Sequence, residues 1–314
     1  MLSRRAVLSA SLGAFAAGCA GQRRKRIAVI PKSTSSVFWV AVHEGADDAG
    51  REFQVDVLWN GAPAETDYTR QIQIVESMVA QRVDGIAIAA AQRQALVSSV
   101  ERAIRAGIPV TVFDSGLDIE DYSSYIATDN LEAGRLAART LAKLMGSRGS
   151  VGLVMHAPGS ASTMDRETGF REVLQKDFPG ISIVGEQFGM ADSAKSRAAA
   201  ENILTAHPEL RGMFASSEPS SLGAALAVNS RSLADKLALV GFDSSEGLID
   251  DLRSGSIDAL VVQDPRKMGY EAVHSLVQKL SGQAPPKRLD LPAIVVARAD
   301  LEKADVKKLL GIRS

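Results

Sequence analysis

The stretch RIAVIPKSTSSVFWVAVHEGADDAGRE, residues 26–52, decides how this chain is read. Residues 27–31 are apolar without interruption. Such a run, short and rich in β-branched residues, reads as a strand covered on both faces. A serine-rich loop follows, and then an amphipathic helix from Val37 to Glu52. The same strand–helix alternation continues with VDVLW (55–59), a helix over 67–81, DGIAIAA (84–90), a helix over 92–106 and IPVTVFD (108–114). Buried strands separated by helices imply a parallel sheet with right-handed β-α-β crossovers, a doubly wound lobe.

The pattern then restarts. A helix over 131–145 leads to SVGLVMHA (150–157), a helix over 163–176, ISIVGEQF (181–188) and a helix over 193–206. GMFASS (212–217), a helix over 219–228, LALVGFD (237–243), a helix over 245–253, DALVVQD (258–264) and a helix over 266–280 continue it. A Gly/Pro loop, GQAPPK (282–287), precedes AIVVA (293–297) and a short charged helix. The expected class is α/β, with two doubly wound parallel-sheet lobes. No repeat of 20–50 residues is visible, which excludes a solenoid.

Composition agrees with a soluble globular protein: 46% hydrophobic and 23% charged residues. A formal net charge of −1 provides no basic field for nucleic acid. The first 26 residues differ from the rest. Arg4 and Arg5 precede an uncharged run from Ala6 to Ala17, then Gly18 and Cys19. A basic head, a short apolar run and small residues form a secretory signal, too short to span a bilayer. AAGC (16–19) resembles a bacterial lipobox, in which the cysteine becomes the lipidated first residue. Cys19 is the only cysteine, so no other thiol is left to mispair in an oxidising compartment. The chain is therefore expected to be exported to the periplasm or cell surface and anchored through Cys19, with QRRKR (22–26) as a tether beside anionic headgroups. A plain secretory signal with an incidental cysteine is the alternative.

In doubly wound sheets, ligands sit beyond the carboxyl ends of the strands. There the sequence places Lys32, Ser33 to Ser36, Phe38 and Trp39 after the first strand, then Asp114, Ser216 to Glu218, Phe242 with Asp243, and Gln263 with Asp264. Asp165 and Arg166 fall early in a helix. Carboxylates that accept two hydroxyl hydrogens, forked donors and flat rings suit a polyhydroxylated ligand. Each has a plainer reading. A strand-end Asp often only caps a helix. Phe242 is equally a core residue, and Arg166 a surface ion pair.

IAVIPKSTSSVFWVAVHEGA, GIPVTVFDSG, YIATDNLEAGRLAA, MDRETGF, ILTAHPELRGMFASSE, LVGFDSSEG and VVQDPRKMGYEAV together resemble the type I periplasmic sugar-binding proteins, nearest the ribose-binding branch. The resemblance covers nearly all of residues 26–298. It implies two lobes joined by three crossings near Asp129, Asp264 and Leu291, with ligand in the cleft between them. The first lobe would be residues 27–129 plus 264–291, the second 130–263 plus 292–300, and 301–314 a tail helix. Carried over by position, ligand-contacting residues would be Lys32, Ser36, Phe38, Trp39, Asp114 and Ser115 from the first lobe. Arg166, Ala191, Ser217, Phe242, Asp243 and Gln263 would come from the second. Ser36, Ser115, Ala191 and Ser217 depart from the ribose-like pattern, each smaller than the Asn, Arg, aromatic or Asn usual there. They lead us to expect a roomier pocket, and a ligand bulkier than a pentose or bearing an anionic group for Lys32.

The function implied is solute capture for an ABC importer. The partners would be a sugar-like ligand and a membrane permease with its ATPase, and the protein a monomer needing no cofactor. A chemoreceptor or sensor partner is the alternative. An enzyme is disfavoured: G-x-S-x-G, H-E-x-x-H and P-loop patterns are missing. His43, His156, His207 and His274 lack metal-ligand spacing and read as surface or packing residues. A transcriptional regulator would need a helix-turn-helix ahead of the lobes. For the anchor, Cys19→Ala is expected to release the protein from membranes with ligand affinity unchanged. A variant that still sediments with membranes in fractionation would refute the anchor.

Overall fold

The computed structural model describes residues 23–312. Cys19 and the export segment lie outside the described residues. In chain order the first elements are β1 (Arg26–Ile30), α1 (Val37–Glu52), β2 (Asp56–Trp59), α2 (Tyr68–Ala80), β3 (Gly85–Ile88), α3 (Val97–Arg105), β4 (Val110–Phe113) and β5 (Ser124–Thr128). Next come α4 (Asn130–Leu144), β6 (Gly149–Met155), α5 (Ala161–Asp177), β7 (Ile181–Phe188), α6 (Ser193–Ala206), β8 (Gly212–Ala215), α7 (Glu218–Ser230), β9 (Ala238–Phe242), α8 (Glu246–Ser254) and β10 (Ala259–Val262). The chain ends with α9 (Pro265–Leu280), β11 (Arg288–Leu291), β12 (Ile294–Ala297) and α10 (Ala304–Leu309).

Two six-stranded sheets form, ordered β11-β5-β4-β3-β1-β2 and β12-β10-β9-β8-β6-β7. Each begins as the 2-1-3-4-5 doubly wound order. Pairing is parallel throughout, except that β12 runs antiparallel to β10. The two-lobe α/β class read from the alternating pattern is the observed one. β5 and β11 were not foreseen. RLDL, the core of β11, is mostly solvent-exposed and sits at the sheet edge, so it lacks a continuous apolar run. The third helix starts at Val97, not Gln92, because the Gln92 side chain accepts hydrogen bonds from the Gln94 and Ala95 N–H groups and holds a turn there. The tail is not detached: Leu301 and Val306 are buried in the second lobe's core.

The chain passes between sheets after β5, after β10 and between β11 and β12. These crossings are tied together. The Thr128 hydroxyl donates to Gln263 Oε1, and the Asp129 N–H donates to the Leu291 carbonyl at 3.2 Å. Asp129 and Asp264 are both helix N-caps, accepting from the Glu132 and Lys267 N–H groups. Each satisfies an otherwise orphaned donor where a helix begins just beyond a crossing.

Each lobe contains a matching helix pair in near backbone contact. A Cβ on Gly45 of α1 would lie 1.8 Å from the Arg266 carbonyl oxygen, and one on Gly269 of α9 would lie 2.0 Å from that of Val42. In the second lobe, Gly134 of α4 would meet the Arg166 carbonyl at 1.9 Å, and Gly169 of α5 that of Leu131 at 2.1 Å. The spacing is identical in both pairs: each glycine lies three residues after the residue that its partner glycine touches. Only glycine permits this approach, and in the second lobe it fixes where Arg166 stands. Gly45→Ala and Gly134→Ala are each expected to lower the unfolding free energy by about 2–3 kcal/mol in denaturant titrations, through overpacking. Gly247→Ala, exposed on α8, should cost nothing measurable. Equal stability of all three variants would contradict the close-packing account.

Candidate functional site

The carboxyl ends of both sheets face one another, and the site is built from the loops between them. Its anchors are two aspartates in equivalent places. Asp114 follows β4 with φ +55°, and Asp243 follows β9 with φ +70°. Asp114 N–H donates to the Ile126 carbonyl at 2.9 Å, and Asp243 N–H to the Val261 carbonyl at 2.8 Å. Each thus extends a ladder to the neighbouring strand while turning its side chain toward the cleft. Left-handed backbone is tolerated by Asp better than by most residues, and such positions concentrate where function requires them. Each aspartate follows a fully buried phenylalanine, Phe113 or Phe242.

Lys32, Ser36, Phe38, Trp39 and Asp114 of the first lobe line one cavity with Arg166, Ser217, Asp243 and Gln263 of the second. The structure brings these nine together. Ser115 and Phe242 stand behind them. The Ser115 hydroxyl accepts from the Ser162 N–H at 3.2 Å, and the Phe242 ring lies 3.8 Å beneath the Arg166 guanidinium. Arg166 is itself buried and donates through Nε to Asn130 Oδ1 at 2.8 Å and through Nη1 to the Ser216 carbonyl at 3.0 Å. Ala191 lies outside this cavity, at the mouth of the cleft.

Glu65, His156, Ser162, Thr163 and Glu218 also line the cleft and were not among the expected contacts. Trp39 Nε1 donates to Glu65 at 2.8 Å, so this ring serves as a donor as well as a face. The other Glu65 oxygen lies 3.0 Å from His156 Nε2, and His156 Nδ1 lies 2.9 Å from the Ser217 hydroxyl. His156 is therefore not the packing or surface histidine expected. It stands directly after β6, a strand-end signal available in MHA (155–157). Glu218 also stood at a strand end. Glu65 sits in the loop before α2, where no periodicity marks it.

The roomier pocket does not materialise at the inner site. With the lobes in contact the free space there is about 30 Å³, room for a few waters, so a sugar enters only by parting the contacts across the cleft. The small residues are filled in by larger neighbours. The Ser36 hydroxyl donates to Glu218 across the cleft, and Ser217 meets His156. Lys32 is committed too. Its ammonium lies 3.0 Å from Asp114 and donates to Ser160 and Ser162, both at 3.1 Å. Two ammonium hydrogens go to the serines, and the charge is paired with Asp114. Asp114 Oδ2 is fully buried near that ammonium without an aligned hydrogen bond, which leaves acceptor capacity in the cleft.

Burial pushes the Glu65 carboxyl up, but His156, Lys32 and the Trp39 N–H outweigh it and hold it down at about 2. Burial raises Asp243 despite Arg166, the Gln263 amide at 2.6 Å and the Glu218 N–H at 3.0 Å. Glu218 is raised by burial and by the nearby Asp243 and Glu65 charges, against the Ser36 hydroxyl. One carboxylate is therefore strongly stabilised as the anion, while two carry uncompensated desolvation.

Two doubly wound lobes meeting over a polar, aromatic-flanked cleft define a hinged ligand-capturing protein. The chain belongs to the periplasmic binding protein domain family, whose model matches residues 27–284. A D-ribose/D-allose-binding protein of Pseudomonas aeruginosa is 30% identical over 275 residues, covering 85% of this chain and 86% of that one. The ribose import binding protein of Bacillus subtilis is 26% identical, covering 81% of each. Among solved structures, a carbohydrate-transporter solute-binding protein from Agrobacterium radiobacter in complex with D-arabinose superposes with a TM-score of 0.89. It is 32% identical, covering 91% of this chain and 99% of that one.

A depressed carboxyl contributes stability above its unfolded value, and that contribution is lost as pH falls through the folded one. Glu65→Gln is thus expected to be less stable than the parent by about 2–3 kcal/mol at pH 7. The gap should hold down to about pH 4.5 and close toward pH 2. Denaturant unfolding at fixed pH checks this, and a pH-independent gap would refute it.

Proposed function

We propose that this chain is the solute-binding protein of an ABC importer, capturing a neutral sugar in the interlobe cleft by domain closure. One observation carries the reading: Asp114 and Asp243, at equivalent strand ends of the two lobes, converge with Arg166 and Trp39 on a single cleft. Carboxylates accept sugar hydroxyl hydrogens, Arg166 donates to hydroxyl oxygens, and Phe38 and Trp39 cover the apolar face of a ring. Family membership and the sugar-binding relatives support the same reading.

The chemistry argues for an uncharged ligand. Glu65, Asp114, Glu218 and Asp243 outnumber the fixed cations Lys32 and Arg166, and Lys32 is held by Asp114 and two serines. That same arrangement makes Lys32 a structural cation rather than an acid–base group, which supports binding over turnover. Each lobe offers half the groups, so a ligand gains its full set only when the lobes meet, and it favours that state by differential affinity. The permease and its ATPase would read the closed surface. Export through the N-terminal signal and lipid attachment at Cys19 would keep the receptor beside its transporter.

Thermal unfolding of the purified protein against ribose, allose, arabinose, fucose and related neutral sugars tests this. A cognate sugar at about 100 times its dissociation constant should raise the melting temperature by about 5–10 °C. Arg166→Met should abolish the shift by weakening affinity at least about 100-fold. Asp243→Asn should also abolish it, while the sugar-free protein becomes no less stable because a desolvated charge is removed. A shift with sugar acids or phosphates alone would overturn the neutral-ligand reading.

A further inference from the structure

The Trp39 ring is tied to both lobes. Within its own lobe it is braced edge-on by Phe38, with ring centroids 4.9 Å apart at 89°, and by Phe113, 6.3 Å away at 75°. Its Nε1–H donates to one Glu65 oxygen at 2.8 Å, and the other Glu65 oxygen lies 3.0 Å from His156 Nε2 across the cleft. A carboxylate only accepts, so Nε2 carries the hydrogen of that contact. His156 Nδ1 in turn meets the Ser217 hydroxyl at 2.9 Å. An unbroken chain of hydrogen bonds thus runs from the stacking ring of the first lobe to the wall of the second.

Both ends of the cross-lobe pair are fixed by their own lobe. The Glu65 loop is clamped on either side: the Ala62 carbonyl accepts from the Thr34 N–H at 3.0 Å, and Asp67 caps α2. In the second lobe the His156 N–H donates to Glu167 at 3.3 Å, and its carbonyl accepts from the Ala191 N–H at 3.1 Å. Both side chains are largely withdrawn from solvent, Glu65 at 13% and His156 at 4% exposure. The angle between the lobes therefore decides whether the pair forms. Once it forms, the Glu65 carboxylate is held from both sides and the indole N–H is pinned with it. A recognition geometry is kept tightly only when the contacting group is itself locked by a supporting shell.

We propose that Glu65 and His156 are positioning residues for sugar recognition: they transmit closure of the second lobe to the plane of the Trp39 ring, and thereby set which sugar epimer the cleft prefers. The inference rests on the sugar-binding reading and adds to it the groups that decide selectivity. Inverting one hydroxyl of a pyranose moves a C–H from one face of the sugar to the other. An aromatic plane tells such isomers apart only when its orientation is fixed, because a loosely held ring adapts to either.

Isothermal titration calorimetry with D-ribose, D-arabinose, D-xylose, D-allose, D-glucose and D-galactose tests this on the purified protein. Glu65→Gln and His156→Leu are each expected to weaken the preferred sugar about five- to tenfold, while changing its disfavoured epimers by no more than about twofold. Because the residues act in series, the two changes combined should cost no more than about twofold beyond either alone, and the same holds for Glu65→Gln added to Trp39→Phe. In a Trp59→Phe background, which leaves Trp39 as the sole tryptophan, the preferred sugar should shift the emission, and His156→Leu should diminish that shift. Melting curves establish that each variant folds, with His156→Gln replacing His156→Leu if it does not. Unchanged or equally weakened binding of every sugar would overturn the positioning role and leave sugar capture standing. Losses that add fully in the Trp39→Phe background would place Glu65 against the sugar itself and overturn it too. Failure of every sugar to bind the folded parent would overturn the sugar reading along with this one.

Discussion

Buried charge that finds part of its partners across the gap between lobes is the constraint on which this structure turns. Glu65 from the first lobe meets His156 from the second, Ser36 meets Glu218, and Lys32 reaches Ser160 and Ser162. Charged groups in a low-dielectric cleft are costly unless paired. The lobes therefore supply one another's partners, and any guest that separates these contacts must replace them. Hydroxyl-rich molecules can do so, because each hydroxyl both donates and accepts. Binding and closure become one event.

The same logic is written twice in the chain. Phe113–Asp114–Ser115 and Phe242–Asp243–Ser244 occupy matching strand ends, with matching backbone dihedrals and matching ladder bonds. Val42/Gly45 against Arg266/Gly269 is matched by Leu131/Gly134 against Arg166/Gly169. Asp129 and Asp264 cap the helices that begin at two of the crossings. The lobes are not interchangeable, however. Arg166 projects into the cleft, whereas Arg266, its counterpart, forms exposed ion pairs with Glu44 and Asp48. One scaffold thus carries a forked donor on one side only, which gives the cleft its polarity.

The alternation of buried strands and amphipathic helices was enough for the fold class, because parallel strands covered on both faces leave an unbroken apolar run. One edge strand escaped for the same reason: β11, mostly in solvent, has no such run. The strand-end rule located Asp114, Asp243 and Gln263, since it depends only on where apolar runs stop. It did not locate Glu65, which reaches the cleft from mid-loop, and His156 was passed over although it obeys the rule. Phe242 was legible as an aromatic beside an aspartate. That its ring lies under a guanidinium instead of against open cleft depends on packing between α5 and β9.

By itself, then, the sequence determined the two-lobe α/β class, the positions where strands end and the supply of carboxylates and rings found there. These follow from local periodicity, which each segment carries regardless of its neighbours. The tertiary structure alone decided the pairings. Lys32 is held by Asp114 and by two serines 128 and 130 residues away, and the space expected from small residues is closed where Ser36 meets Glu218 and Ser217 meets His156. Volume and charge compensation are properties of groups brought together from distant parts of the chain, and they exist only once the two lobes face each other.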